Sequence, residues 1–215
     1  IGETGLDYYQ MQERKGGRTV ADMEWQRERF RTHIRAARVT GLPLVIHTRN
    51  ASHDTLAILR EEMANAAPVA QRSGQGAQPG AEPGAEPGVQ SGTKDSVAAA
   101  KSTAVTGVFH CFTESMAVAR AALDMGFYIS FSGILTFKAA AELREVAAFV
   151  PLDRCLIETD SPYLAPMPYR GKTNNPSYVP FVAKQLASIK GMDVESIAAA
   201  TSANFDHLFS HALYA

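Results

Sequence analysis

The sequence predicts an α/β fold in which parallel strands alternate with helices. Short apolar runs rich in β-branched and aromatic residues alternate with stretches whose apolar residues recur at helical spacing, and this alternation is typical of βαβ units. The composition agrees with one ordinary globular domain, because 46% of the residues are hydrophobic, 20% are charged and the net charge is -1.

Five strands are predicted. Four runs are short, apolar and bounded by turn residues, as is typical of strands buried on both faces. They are "LPLVIH" at 42–47, "TGVFHCF" at 106–112, "FYISFSG" at 127–133 and "RCLIETD" at 154–160. Residues 1–3 are predicted to be the last piece of a fifth strand, which ends at Glu3.

Helices are predicted after each of these strands. Their apolar faces consist of Met23, Phe30, Ile34 and Ala37, then Leu56, Leu59 and Met63, then Met116, Ala119 and Leu123, then Leu143, Val146, Ala147 and Val150, and finally Val179, Val182, Leu186 and Ile189. Ser115 and Ser177 are predicted N-caps, and Gly41, Gly126 and Gly191 are predicted to end helices.

One segment differs from the rest in composition. Residues 74–88 contain only Gly, Gln, Ala, Pro and Glu, including the tandem "AEPGAEPG", and such a composition cannot bury enough apolar surface to fold. We therefore interpret residues 66–103 as a low-complexity, disordered insertion within a single domain that spans residues 1–215.

Five βα units leave two architectures open. One is an open five-stranded sheet, and the other is a (β/α)₈ TIM barrel that lacks about its first three strands in this chain. A complete barrel typically takes about 250 residues, so five of its eight units need about 155, close to the length that remains outside the insertion.

Polar residues at the predicted strand ends favour the barrel. Each of four residues falls at or near the C-terminal end of a different predicted strand, where barrel enzymes place their catalytic groups: Glu3, His47, His110 and Asp160. A lone histidine at such a place is more often an ordinary hydrogen-bonded side chain. Two imidazoles and two carboxylates at one barrel mouth instead form a ligand set that suits Zn²⁺, Mn²⁺ or, with water, Mg²⁺.

Six motifs make the prediction more specific: "GETGLDYY", "VIHTR", "FHCFTES", "FYISFSGILTFK", "LIETDSPYLAP" and "RGKTNNPSYV". In order and spacing they resemble the TatD family of metal-dependent deoxyribonucleases, a branch of the metal-dependent TIM-barrel hydrolases. The similarity covers nearly the whole chain outside the insertion, and "ETDSPYLAP" is its most specific motif.

The resemblance implies a centre of two divalent ions that hydrolyses phosphodiester bonds of DNA, from the 3′ end of a single strand. It implies that Glu3 is a bridging ligand, that His47 and His110 are further ligands, and that Asp160 is the ligand from the last strand. The family's His-x-His pair on the first strand has no counterpart here. Asp160 is also the predicted catalytic residue, because a last-strand carboxylate can contact both the metal and the attacking water.

Three more residues are candidates for supporting or substrate-binding roles. Glu158 projects to the same side as Asp160 if the strand period holds, so it either supports a ligand or is a core carboxylate paired with a cation. Arg49 either holds a phosphate or forms a surface salt bridge. Arg170 lies in the basic loop "YRGKTN", which either attracts a DNA backbone or is simply solvated.

Two alternatives to a nuclease stay open at this point. The same centre could hydrolyse another ester or amide, such as the ester bond of an aminoacyl-tRNA, or the chain could be an inactive fragment. No run of about 18 apolar residues predicts a membrane span, nothing indicates an obligate protein partner, and the two cysteines fit a reducing cytoplasm. DNA and divalent metal are therefore the expected partners, and the cytoplasm is the expected location.

Overall fold

A computed structural model describes residues 1–9, 11, 17–65 and 104–210 of the chain. Within them, five strands form one sheet: β1 (Thr4–Asp7), β2 (Leu44–Arg49), β3 (Gly107–Phe109), β4 (Tyr128–Phe131) and β5 (Cys155–Ile157). The insertion predicted at 66–103 lies outside the described residues, so its disorder stays a prediction.

The strands are parallel and lie in the order of the sequence, β1-β2-β3-β4-β5. Their register places Gly5 opposite His47, Ile46 opposite Phe109, and Ser130 opposite Leu156. In the described part of the chain β1 and β5 each pair with one strand only, so the sheet is open at both edges. Sequential parallel order with a helix after each strand is the arrangement of a TIM barrel, and the predicted α/β fold class is confirmed.

Six α-helices accompany the described strands: α1 (Glu24–Thr40), α2 (Ser52–Ala64), α3 (Met116–Asp124), α4 (Ala141–Phe149), α5 (Val179–Lys190) and α6 (Val194–Phe209). As predicted, Ser115 caps α3 by accepting a hydrogen bond from the Val118 amide, and Gly41 and Gly191 adopt left-handed backbone conformations after α1 and α5.

The N-cap prediction for Ser177 is wrong. A 3-10 turn, Pro176–Tyr178, precedes α5, and the Asn175 side chain caps that turn by accepting a hydrogen bond from the Ser177 amide at 3.0 Å. Asn and Ser are both good caps, and the proline at the first position of the turn selects the residue directly before it.

The outer face of the sheet packs against helices α1 to α5. Its largest fully buried side chains include Phe30, Phe109, Phe127 and Phe131, and the rings of Phe109 and Phe127 meet edge to face with centroids 5.6 Å apart. Truncating one such phenylalanine to alanine typically costs about 3–5 kcal/mol. This layer therefore supplies most of the stability that holds the strands in register.

The inner face of the sheet lines a groove of about 630 Å³. Its floor is formed by alternate strand residues, including Val45, Val108, Ser130 and Leu156, and helix α6 forms one wall. His110 and Glu158 lie on the same side of the sheet and border this groove. The polar residues of the candidate site therefore project from the face that a barrel encloses.

Strand β1 differs from the prediction at its boundary. It spans Thr4–Asp7, so Glu3 lies just before it and does not end a strand. Gly5 has a φ of 129°, and a Cβ on it would lie 1.9 Å from the carbonyl oxygen of His47. Gly5 and Asp7 resemble turn residues in the sequence, but this glycine allows β1 to pass close to β2 beside His47.

Candidate metal centre

Three predicted ligands converge at the sheet: Glu3, His47 and His110. One ligand atom from each lies within 4.8 Å of the other two. The Oε1 atom of Glu3 lies 3.1 Å from Nδ1 of His47 and 3.1 Å from Nε2 of His110, so a single carboxylate oxygen lies between the two imidazoles. Two histidine nitrogens and a carboxylate are a common ligand set for divalent transition metals.

Local structure positions each of the three side chains. His47 lies in β2, His110 directly follows β3, and Glu3 directly precedes β1. The amide of His110 donates a hydrogen bond to the Ile46 carbonyl at 3.0 Å, which extends the ladder between β2 and β3 by one residue. His47 and His110 meet because adjacent parallel strands end at the same edge, whereas Glu3 reaches them from the start of β1, where Thr4 lies opposite Ile46.

The ring of His110 is held by Glu158. Nδ1 of His110 lies 3.3 Å from Oε1 of Glu158, and the same oxygen accepts a hydrogen bond from the Cys111 amide at 3.1 Å. The backbone of Cys111 has a φ of 43°, so the chain turns directly after His110. A carboxylate on one ring nitrogen fixes the ring and leaves the other nitrogen for a metal, a pairing that is usual at metal sites.

The other ring nitrogen of His110 is buried, and within the described residues it has no hydrogen-bond partner. It lies close to Glu3 but does not form a well-directed hydrogen bond with it. Burial alone lowers the pKa of His110, but the hydrogen bond to Glu158 and the charges of Glu158 and Glu3 raise it to about 9. A buried nitrogen that lies 3.1 Å from a carboxylate without a well-directed hydrogen bond is an arrangement that a bound cation would satisfy.

The pKa values of His47 and Glu158 are both lowered, but for different reasons. Burial lowers the pKa of His47, although Glu3 acts against this shift, so His47 favours the neutral form that binds metals. Burial favours the neutral form of Glu158, but hydrogen bonds from His110, Ser130 and the Cys111 amide outweigh it and lower the pKa. Glu158 is therefore a carboxylate in the folded protein.

Asp160 lies near the three ligands but outside their group. Its pKa is raised mainly by burial, and it interacts electrostatically with His110, Glu158, Glu3 and His47. Within the described residues the group that could hold one ion contains Glu3, His47 and His110 without Asp160. Its roles as a fourth ligand and as the catalytic residue stay predictions.

Of the two roles predicted for Arg49, a phosphate contact or a salt bridge, the structure contains the salt bridge. Its guanidinium contacts Oδ2 of Asp7 at 2.5 Å and lies 4.5 Å from the ring centroid of Tyr9. The same Asp7 oxygen is 3.6 Å from Nε2 of His47, so this ion pair borders the centre. A phosphate could reach Arg49 only in competition with Asp7.

Arg170 lies in the loop that follows β5. Its guanidinium lies 4.4 Å from the ring centroid of Phe137, and its side chain is exposed. The loop begins at Asp160, whose carbonyl accepts a hydrogen bond from the Tyr163 amide at 2.7 Å. Arg170 thus lies on the surface in the loop that begins at Asp160, and its contact with substrate stays a prediction.

Two residues of the site were missed by the sequence analysis. Asp7 contacts both His47 and Arg49, and Ser130 hydrogen-bonds Glu158 from a position that is only 3% exposed. A serine inside the otherwise apolar run "FYISF" was the signal for Ser130. The signal for Asp7 was a carboxylate four residues after Glu3 in the same motif.

Among the described residues, no helix is both long enough and apolar enough to cross a lipid bilayer.

Comparisons with known proteins identify the family of this chain. The family described as TatD related DNase matches residues 1–210. The chain is 44% identical over 209 residues to the uncharacterized metal-dependent hydrolase YcfH of Escherichia coli, and this match covers 97% of the chain and 62% of that protein. It is 28% identical over 214 residues to a protein of Salmonella typhimurium named 3′-5′ ssDNA/RNA exonuclease TatD, covering 97% of the chain and 65% of that protein.

Solved structures support the fold. YjjV, a TatD homologue from Escherichia coli, matches with a TM-score of 0.69 at 20% identity, and a TatD family hydrolase from Entamoeba histolytica matches with a TM-score of 0.66 at 21% identity. Each match covers 97% of the chain and 62% of the solved protein. The chain spans less than two thirds of the length of these relatives. With the family match over nearly all its residues, this chain belongs to the TatD-related DNase family.

Proposed function

We propose that this chain carries the metal centre of a hydrolase that cleaves phosphodiester bonds in single-stranded DNA from the 3′ end. The observation that carries this proposal is the single oxygen of Glu3 at 3.1 Å from one nitrogen of His47 and one of His110. The name of the Salmonella typhimurium relative supports the choice of a single-stranded nucleic acid as substrate.

The residues fit a divalent ion. His47 favours its neutral form, Nε2 of His110 is buried without a hydrogen-bond partner among the described residues, and Glu3 offers its oxygen to both. Mg²⁺, Mn²⁺ and Zn²⁺ all accept such ligands, with Zn²⁺ and Mn²⁺ favoured by the two imidazoles. Asp160 is the proposed fourth ligand, and a second ion would need further ligands beyond these.

When bound, divalent ions supply Lewis-acid stabilisation of the phosphoryl oxygen and lower the pKa of bound water. The chain's own residues carry the other tasks. Glu158 holds the ring of His110 in one orientation, and the carboxylate of Asp160 accepts the proton of the attacking water. We expect Arg49 and Arg170 to contact phosphates of the substrate, with Arg49 leaving its ion pair with Asp7 to do so.

An assay with three substrates tests this proposal. The protein of full natural length is freed of metal with EDTA, reloaded with Mg²⁺, Mn²⁺ or Zn²⁺, and given 5′-labelled single-stranded DNA, the matching duplex and an aminoacyl-tRNA. We expect stepwise shortening of the single strand from its 3′ end, and only after reloading. Elemental analysis of the reloaded protein gives the number of ions per chain.

Two results would contradict the proposal. Faster release of the amino acid from the tRNA than of nucleotides from DNA would identify another ester as the substrate. Reloaded protein that contains no bound metal would identify an inactive centre. The Arg120→Ala variant is the control for both measurements and should behave like the wild type. Arg120 lies on α3 in the outer helix layer, away from the ligands.

A further inference from the structure

One part of the chain is strongly basic although the protein as a whole is not. Residues 161–192 contain four Lys or Arg residues and no Asp or Glu, whereas the net charge of the chain is -1. The centre itself is rich in carboxylates, which repel a phosphate backbone. A polyanionic substrate therefore needs a local cationic surface to hold it.

Aromatic rings accompany these cations. Tyr169 and Tyr178 stack with centroids 4.1 Å apart and an interplanar angle of 2°, and Phe181 meets both edge to face. The ammonium of Lys172 lies 5.8 Å from the ring centroid of Tyr169, and that of Lys184 lies 5.4 Å from that of Phe181.

The cations of this region are available to a ligand. Arg170, Lys172 and Lys184 are exposed, and in the described part of the chain none of them forms an ion pair with a carboxylate. Each instead lies against an aromatic ring, which orients the positive charge without neutralising it.

The loop that carries Arg170 and Lys172 is held in place. Asn174 is 3% exposed, and its side chain donates a hydrogen bond to the Tyr163 carbonyl at 2.7 Å. The Met167 amide donates to Oγ1 of Thr136 at 2.8 Å. A Cβ on Gly133 would lie 2.0 Å from the Leu164 carbonyl oxygen, so the loop packs directly on the backbone after β4. A surface fixed in this way loses little conformational entropy when it binds a ligand.

We propose that these groups form one binding surface for single-stranded nucleic acid, the aromatic-cation surface, which consists of Tyr169, Tyr178, Phe181, Arg170, Lys172 and Lys184. Stacking rings beside cations that follow a phosphate backbone are the means by which proteins hold single strands without reading their sequence. The bases of a duplex are already stacked on each other, so a duplex cannot use the rings. The inference rests on the proposed function, because the loop starts at Asp160 and would lead the strand to the centre.

Binding in the absence of metal tests the surface separately from hydrolysis. The probe is a fluorescein-labelled oligothymidylate of about 16 nucleotides, the upper end of common site sizes, and its anisotropy is followed in EDTA with the protein of full natural length. Tyr178→Leu should weaken binding about 10-fold, since stacking is lost, whereas Tyr178→Phe should keep the affinity within about 2-fold.

A second pair of variants tests the contribution of the positive charges to binding. The double variant Arg170→Ala/Lys172→Ala should reduce the slope of log K against log salt by about 1.4, which corresponds to two phosphate contacts on a single strand. The control Arg60→Ala/Arg120→Ala removes the same charge from the outer helices, and Arg120 also lies over a ring, at 4.1 Å from the centroid of Phe149. This control should keep the wild-type affinity and slope.

Three outcomes would overturn the inference: equal affinities for the Tyr178→Leu variant and the wild type, equal salt slopes for the two double variants, or equal binding of the oligothymidylate and polyglutamate. Melting temperatures of all variants verify that they are folded. Because no hydrolysis is needed for this readout, an oligothymidylate that binds but is not cleaved by the metal-loaded protein would refute the proposed function and leave the surface intact.

Discussion

Glu62 and Glu158 are both carboxylates that the fold takes largely out of water, and their surroundings differ. Glu62 in α2 is 2% exposed and lies among three arginines of α1: Arg35 at 2.5 Å from its Oε1, with Arg31 and Arg38 at 4.0 Å from its carboxylate oxygens. Glu158 is 21% exposed and contacts a histidine, a serine and a backbone amide. In the described residues no arginine or lysine pairs with Glu158.

The difference predicts that Glu62 has a structural role and that Glu158 supports the candidate centre. Arginines are permanently charged and fully use the carboxylate of Glu62, so this group can only join two helices. The imidazole of His110 uses one nitrogen for Glu158, and its other, buried nitrogen faces Glu3 at 3.1 Å without a well-directed hydrogen bond. The alternative that Glu158 is a core carboxylate paired with a cation stays open, because a His110 ring whose pKa is raised to about 9 is itself a cation at neutral pH.

The largest expected effect comes from the carboxylate that faces both imidazoles. Glu3→Ala removes the oxygen that lies between His47 and His110. We expect metal affinity and hydrolytic rate to fall by more than about 100-fold, which exceeds the loss usually seen when a residue that only supports a metal ligand is changed. The Glu3 side chain is 57% exposed, so the melting temperature should change little. Calorimetric titration with Zn²⁺ checks the affinity, and an unchanged affinity would exclude Glu3 from the centre.

Glu158→Gln tests whether Glu158 supports metal binding through His110. The amide keeps the size of the side chain but loses the negative charge beside His110, and such outer-shell changes typically cost about 10–100-fold in metal affinity or activity. The pH dependence of metal binding should also change, because without this carboxylate the pKa of His110 falls from its raised value. A variant with wild-type metal affinity and only a lowered melting temperature would make Glu158 a purely structural residue.

Glu62→Gln tests whether Glu62 stabilises the fold without affecting metal binding. We expect a loss of about 2 kcal/mol in the free energy of unfolding, since charge-assisted hydrogen bonds are lost while the partly exposed arginines can turn to water. Metal affinity should equal that of the wild type. Urea unfolding and the same calorimetric titration check both statements, and reduced metal affinity would mean that the two carboxylates are not separable.

The smallest effect concerns the buried thiol of the outer layer. Burial raises the pKa of Cys155 to about 12, with Lys190 acting weakly against this. The folded protein therefore keeps a proton that the unfolded chain loses above about pH 9, so this contribution to stability is full below pH 9 and is lost as the pH rises toward 12. Mass spectrometry after iodoacetamide treatment at pH 8 should find Cys155 unmodified in the native state, and fast alkylation would indicate local opening of this layer.

The sequence analysis predicted the parallel sheet and most helix ends because these depend on local patterns. Buried apolar runs mark strands, and Ser115, Gly41 and Gly191 are local signals for helix ends. The contacts of Glu158 depend instead on strand register, which places Ser130 opposite Leu156, and no local pattern reports that pairing. The choice between Asn175 and Ser177 as cap was likewise decided by tertiary context, since both residues are suitable.

The close approach of Gly5 to the His47 carbonyl limits which mutations the Gly5 codon can tolerate. Every other amino acid carries a Cβ, which at this position would lie 1.9 Å from the His47 carbonyl oxygen, so every missense change of the Gly5 codon disturbs a ligand-bearing strand. At Gly41 the φ of 71° favours glycine as well, but nothing lies within 4 Å of an added Cβ, and asparagine can adopt that backbone conformation. A saturation library selected for metal-dependent activity should therefore retain asparagine at Gly41 and return only glycine at Gly5.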